Sequence, residues 1–428
     1  MKLQHLFLIG ICISLVGLFA TVEPSQAQIG GTSPPVVKPA NGWLEYPIDY
    51  DLKRRATEFR QVARSGSLTE PATKAFINNF IRKAIVPEFT EESKRATITS
   101  LRSSLSTTLR SSKGQVHDYI VSVLADELGF LSIDPRVHPI SRFNAAIMLG
   151  DLNQVEMAGS SMPKPLPAGT LILMKLLNWN SESIPAPQLT EAKKLPGVWT
   201  RKGIPVSDEI ITAALLGLER HAALGIAEKT TRQRILAELC VLLDPVKTPK
   251  PTRRSADGHA WILENACRIL GLMRETGPSA MPLPQLAKLM GNSNMPFEVR
   301  CEAAQAIGTI AITINDPNSL AFVLRQINTL VADTLKAELA ADMIEPRRIR
   351  YRLQSALSAL VGRQAAGFVK DTSGGKGIAP LLPAAHAKAS NDIIKYVIAP
   401  TEKPKPDATE IEEAINTVGN QLKKLTGG

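Results

Sequence analysis

The residues that could do chemistry in this chain are lone histidines, three mid-chain cysteines and many arginines, and their spacing sorts them. His117, His138, His221, His259 and His386 each stand without a neighbouring Cys or His at metal-ligand spacing. His221, in "LERHA", has Glu219 and Arg220 beside it, and it reads as a packed or surface imidazole rather than a catalytic base. Cys240, Cys267 and Cys301 are odd in number, form no C-x-x-C, and lie in apolar helical patterns, so they read as small buried hydrophobes. There is no G-x-S-x-G, no H-E-x-x-H and no EF-hand loop. "SGGKG", Ser373 to Gly377, lacks the earlier glycine and the Ser/Thr after Lys376 that a phosphate-binding loop needs, and reads as a turn. The expectation is a chain that is not an enzyme, with no catalytic residue, no metal and no cofactor.

Binding chemistry is better supplied. "KTPKPTRR" holds Lys247, Lys250, Arg253 and Arg254 with no acid among them. "RRIRYR" sets Arg347, Arg348, Arg350 and Arg352 around Tyr351, and "KKLPGVWTRK" sets Trp199 among Lys193, Lys194, Arg201 and Lys202. An aromatic among cations suits stacked bases or an anionic glycan or lipid surface. With 50 Lys and Arg against 40 Asp and Glu, the chain carries +10, a mild attraction toward anionic partners when spread over 428 residues.

The first residues carry a targeting pattern. Lys2 precedes the 15-residue apolar stretch "LFLIGICISLVGLFA", and "SQA" ends at Ala27 with small residues where a signal peptidase reads them. That stretch is shorter than the ~18–20 residues a membrane-spanning helix needs. We expect residues 1–27 to be a signal peptide, a periplasmic or secreted location, and no transmembrane segment in the mature chain. Removing 1–27 takes away one lysine and one glutamate and leaves the net charge unchanged. Export weighs against a nucleic-acid target.

The elements that must position these residues are helical. Hydrophobic residues make up 44% of the chain and aromatics only 5%, which favours helices packed through small side chains over an aromatic β-sandwich. In "MPFEVRCEAAQAIGTI", Val299, Ala303, Ala306, Ile307 and Ile310 form one stripe of a 3.6-residue period. Pro296 lies near the start, and Asn294 or Ser293 is expected to cap it. Gly308 costs ~1 kcal/mol inside a helix, which implies a packing reason for it. "SRFNAAIMLGDL" and "ILENACRILGLM" repeat the pattern with Gly150 and Gly271, "YRLQSALSALVG" follows with Leu360, and "LERHAALGI" ends on Gly225 in the same phase. The ragged period of ~40–47 residues is that of stacked helix pairs, each too small to bury its own apolar face.

These motifs resemble the second helix of HEAT repeats, whose usual form is Val-Arg, two alanines, then Ala-Leu-Gly. The chain is similar to exported bacterial HEAT-repeat proteins of unassigned activity. The likeness runs from about Ile48 to Ala365, and departures include Ser141 for Val and Leu263 for Arg. It implies an all-α fold, an armadillo-type α-solenoid of HEAT-like helical repeats with Pro-rich inter-repeat loops. Residues 28–45 are then a Gly/Pro/Ser-rich linker, 46–365 the solenoid, and 366–428 a loop-rich tail with a terminal amphipathic helix. "GSSMPKPLPAG" and the segment around Trp199 read as long inter-helix loops.

In HEAT proteins the matching arginine commonly pairs with acids of neighbouring repeats, and here Arg142, Arg300 and Arg352 share that position. The alternative is a basic row that grips an anionic ligand. The candidate binding residues are therefore Arg142, Arg300, Arg352, Lys247, Lys250, Arg253, Arg254 and Trp199. The expected function is a non-enzymatic protein–protein interaction scaffold with one or more protein partners. The alternatives are a binder of anionic envelope polymers or lipid surfaces through the basic loops, or a lyase or hydrolase on a HEAT scaffold.

Overall fold

Proline, which interrupts the helical pattern in the sequence, starts the helices in space. The computed structural model describes residues 42–134, 136–177, 207–248, 250–251, 254–277, 281–313, 316–362, 375–398 and 406–426. Among them are sixteen α-helices: α1 Tyr50–Arg54, α2 Ala56–Ser65, α3 Pro71–Phe80, α4 Ile98–Ser111, α5 Gly114–Ile133, α6 Pro139–Asp151, α7 Pro167–Leu177, α8 Asp208–Leu224, α9 Lys229–Leu242, α10 Ala256–Met273, α11 Pro282–Gly291, α12 Phe297–Thr309, α13 Pro317–Leu339, α14 Pro346–Val361, α15 Ala384–Ile393 and α16 Ala408–Thr426. Six of them (α3, α6, α7, α11, α13 and α14) begin on proline, where the missing N–H is one the helix would leave unpaired anyway. Asp316 adds a side-chain cap, accepting from the Asn318 and Ser319 amides at the start of α13.

The helices pack against their sequence neighbours in two rows. One row runs α6, α8, α10, α12, α14, and each packs on the next. The other runs α5, α7, α9, α11, α13 and lies against the first, so that α5/α6, α7/α8, α9/α10, α11/α12 and α13/α14 form five pairs. The arrangement is that of a helical solenoid. All five sequence motifs fall in the first row, because their small residues let neighbouring helices approach closely. Val299, Ala303, Ala306, Ile307 and Ile310, the stripe read from the sequence, are all buried.

Glycine marks the closest contacts. A Cβ on Gly150 of α6 would lie 2.6 Å from the Cα of Gly217 in α8, so the two backbones touch. A Cβ on Gly308 of α12 would run into the Ser358 carbonyl of α14, which is the packing reason its helix cost implied. At α8 the expectation needs correction. Gly217, not Gly225, occupies the close approach, and Gly225 ends the helix at φ 92°. The α12 cap also differs. The helix starts after Pro296 with no side-chain cap, while the Ser293 hydroxyl donates to Asp333 at 2.6 Å.

Both ends of the stack are covered. At the front, α2 and α3 pack on α5 and α4 packs on α6, with Phe59 and Phe80 stacked at 4.3 Å. At the back, α16 lies along α13 and buries Ile411, Ala414, Val418 and Leu425, the apolar stripe of its amphipathic pattern. "GSSMPKPLPAG" is not a plain loop: β1 Asn153–Val155 pairs antiparallel with β2 Lys164–Pro165, and Gly159 supplies φ 58° at the tip. No described helix is long and apolar enough to cross a membrane. The segment 1–41, including the targeting pattern, lies outside the described residues.

Candidate functional site

The arginine row holds helices together. Arg142 Nε donates to the Ser132 carbonyl at 3.1 Å, and Arg300 Nε donates to the Met290 carbonyl at 2.8 Å. Both acceptors lie in the last turn of the preceding helix, where carbonyls lack an intrahelical donor and a cation opposes the negative helix end. Arg300 Nη2 also donates to Asp333 of α13 at 2.8 Å, joining one pair to the next, and only 1% of its surface is exposed. Arg352 reaches Glu338 at 3.4 Å and lies 3.7 Å over the Phe297 ring. Glu338 is fully buried and also accepts from both Arg348 Nε and Arg348 Nη2.

The basic loop is likewise folded onto acids from elsewhere. Arg254 is buried and grips Asp208 with two hydrogen bonds, 2.9 and 2.6 Å. Lys250 Nζ donates to the Arg254 carbonyl at 2.9 Å, and Lys247 sits 4.0 Å from Asp244. His259, against Arg254, is held down to about 4 by burial and by the Arg254 and Lys250 charges. Arg253 and Trp199 lie outside the described residues. The structure therefore does not bring the described candidates to one surface. Each meets its own acid or carbonyl.

His221 and the three cysteines take packing roles. His221 is fully buried, with Nε2 donating to the Gly150 carbonyl at 3.0 Å and Nδ1 accepting from the Thr170 hydroxyl at 2.8 Å. Burial, with Arg220 alongside, pushes it down to about 3, so the ring stays neutral. The three cysteines are buried and unbridged, and burial raises each thiol.

Two polar regions remain. The first crosses the motif row: Arg268 of α10 meets Glu264 at 2.7 Å, Glu302 of α12 at 3.3 Å and Glu219 of α8 at 3.8 Å. With Tyr351 of α14, which is 49% exposed, these partly exposed groups place a polar surface over four neighbouring helices. Three carboxylates meet one guanidinium in that cluster, so the cluster itself carries an excess of negative charge.

The second is a cleft of about 180 Å³ where α4, α8 and the strand after α6 meet, lined by Ser106, Leu109, Arg110, Asp151, Asn153, Glu156 and Arg220. Arg220 donates to the Gly150 carbonyl at 2.8 Å and to Asn153 Oδ1 at 2.7 Å, and Asn153 Nδ2 donates to Glu156 at 2.9 Å. Arg102 lies 3.8 Å from Asp151. Burial raises the Asp151 carboxyl, and Arg102, Arg220 and Arg110 pull it back down. Among the described residues no group of His, Cys, Asp and Glu is placed to hold a metal ion.

Sequence spacing alone missed this cleft, since its lining comes from separate segments. A signal existed in α4, where Arg102, Ser106 and Arg110 recur every fourth residue and make one polar stripe.

No protein-family model matches the chain, and no curated protein matches it. Among solved structures it is similar to an engineered protein from the Northeast Structural Genomics Consortium, at 15% identity over 86% of this chain and 82% of that one. The TM-score of that likeness is 0.28, too low to carry an argument.

Proposed function

We propose that this chain is an exported helical-repeat protein of the HEAT type that acts as a non-enzymatic protein–protein interaction scaffold. The observation that supports the reading is the polar surface over α8, α10, α12 and α14, where Glu219, Glu264, Arg268, Glu302 and Tyr351 are presented on packed helices. Side chains held on a rigid row lose little freedom on binding, so a partner's contacts are not spent on ordering the scaffold. An excess of carboxylate there favours a partner with a basic patch. Electrostatic gripping by the basic loop is the weaker reading, because Lys250 and Arg254 are engaged within the chain.

The test is affinity capture from envelope extract with the tagged chain lacking residues 1–27, washed at low and high salt. Beside it runs the variant Glu302→Lys, checked by circular dichroism for retained helix. A protein partner held by the parent and released by E302K is the expected result. Retention of polyanions alone, lost as salt rises, would overturn the scaffold reading.

A further inference from the structure

The cleft at the end of α6 holds its charges in an unusual state. Arg110 makes no hydrogen bond and no ion pair within 4.0 Å among the described residues, although it lines a cleft that also contains Asp151. Asp151 accepts no hydrogen bond there, and its one ion pair, to Arg102, is long at 3.8 Å. The remaining lining groups are committed: Arg220 to Gly150 and Asn153, Glu156 to Asn153. A guanidinium on α4 and a carboxylate at the end of α6 thus line the same cleft without pairing within 4.0 Å.

The lining carries two arginines and two carboxylates, with Arg102 a further guanidinium 3.8 Å from Asp151, so both signs are present in one cleft. A lone anion entering would face Asp151 and Glu156, and a lone cation would face Arg110 and Arg220. A ligand with both signs would pair each of its ends. Size narrows the choice further. The cleft's 180 Å³ is below the ~300–1,000 Å³ of pockets for drug-sized ligands.

We propose that this cleft binds a small zwitterion of free α-amino-acid size, with its carboxylate on Arg110 and its ammonium on Asp151. A planar guanidinium receives a carboxylate through two parallel hydrogen bonds, which suits Arg110 to that end. Arg220, fixed by two acceptors, forms a rigid wall, and the Ser106 hydroxyl is at hand for a ligand side chain. The proposal is independent of the scaffold reading, because the polar surface of the helix row does not contribute to this lining.

The experiment is isothermal titration calorimetry of the chain lacking residues 1–27. The twenty free α-amino acids are titrated separately, followed by the N-acetyl and amide derivatives of any that bind, and by inorganic phosphate. At least one amino acid should bind saturably, and blocking either end should weaken it tenfold or more. Arg110→Gln should weaken it by the same order. Because Arg110 is exposed, that variant keeps its fold, which circular dichroism verifies. Asp151→Asn should weaken it as well. The proposal is overturned if none of the twenty gives a saturable heat, if binding survives R110Q, or if phosphate binds as tightly as the parent amino acid. That last result would make the cleft a simple anion site.

Discussion

Arg300 and Arg110 are the same side chain in two settings. Arg300 is fully buried, caps the end of α11 through the Met290 carbonyl and meets Asp333 of the next pair. Arg110 is exposed on α4 and meets no acceptor among the described residues. The sequence motif singles out the first and is silent about the second. The comparison teaches that an arginine at a repeated position serves the stack, since every helix pair has a carbonyl end to satisfy. Other arginines outside that position, such as Arg254 and Arg220, are also held within the chain, and Arg110 differs from them in having no such partner among the described residues.

The stack side of the comparison should break most easily where backbones touch. Gly150→Val would push a branched side chain into the Gly217 backbone. The expected loss in a urea titration is at least about 3 kcal/mol, since overpacking there cannot be relieved by a rotamer change. An unchanged midpoint would mean that α6 and α8 are not in contact.

A second effect separates the stack from the cleft by pH. His221 is held down to about 3 in the folded chain, against an ordinary 6.5, so the unfolded chain binds more protons between those values. The stability His221 contributes is therefore complete above pH 6.5 and is lost progressively as the pH falls toward about 3. Urea midpoints should decline from pH 7 to pH 5 in the parent, and more shallowly in His221→Gln. Equal slopes would remove His221 from this account.

The smallest effect belongs to the cleft. Arg110→Gln should change the unfolding free energy read from urea titration by no more than about 0.5 kcal/mol, as for any exposed side chain outside a network. A larger loss would place Arg110 among the structural arginines and erase the contrast.

What could be read from the sequence follows the same division. The motif helices were legible because alanine pairs and a following glycine fit only close helix packing. α8 was legible in part: "AALLGLERHAALG" carries two such glycines, and only the fold decides that Gly217 meets α6 while Gly225 ends the helix. The β1–β2 hairpin was hidden because its Gly, Ser and Pro content is that of any loop. The partners of Arg300 and Arg254 were hidden because Asp333 and Asp208 lie 33 and 46 residues away. The cleft gathers α4, the end of α6 and α8, and no local pattern announces such a meeting.

The central claim is that the arginine of the repeated position ties helices of the stack together, with Arg300 reaching from its own pair to Asp333 of the next. A double-mutant cycle on Arg300→Ala and Asp333→Ala, read by urea denaturation at pH 7, tests it most directly. The account predicts that R300A alone costs about 3 kcal/mol, as loss of one partner of a buried pair does. It also predicts a coupling between the two sites of about 1–3 kcal/mol. Stability unchanged in R300A, with no coupling to Asp333, would contradict it and return the arginine row to the surface as a ligand grip.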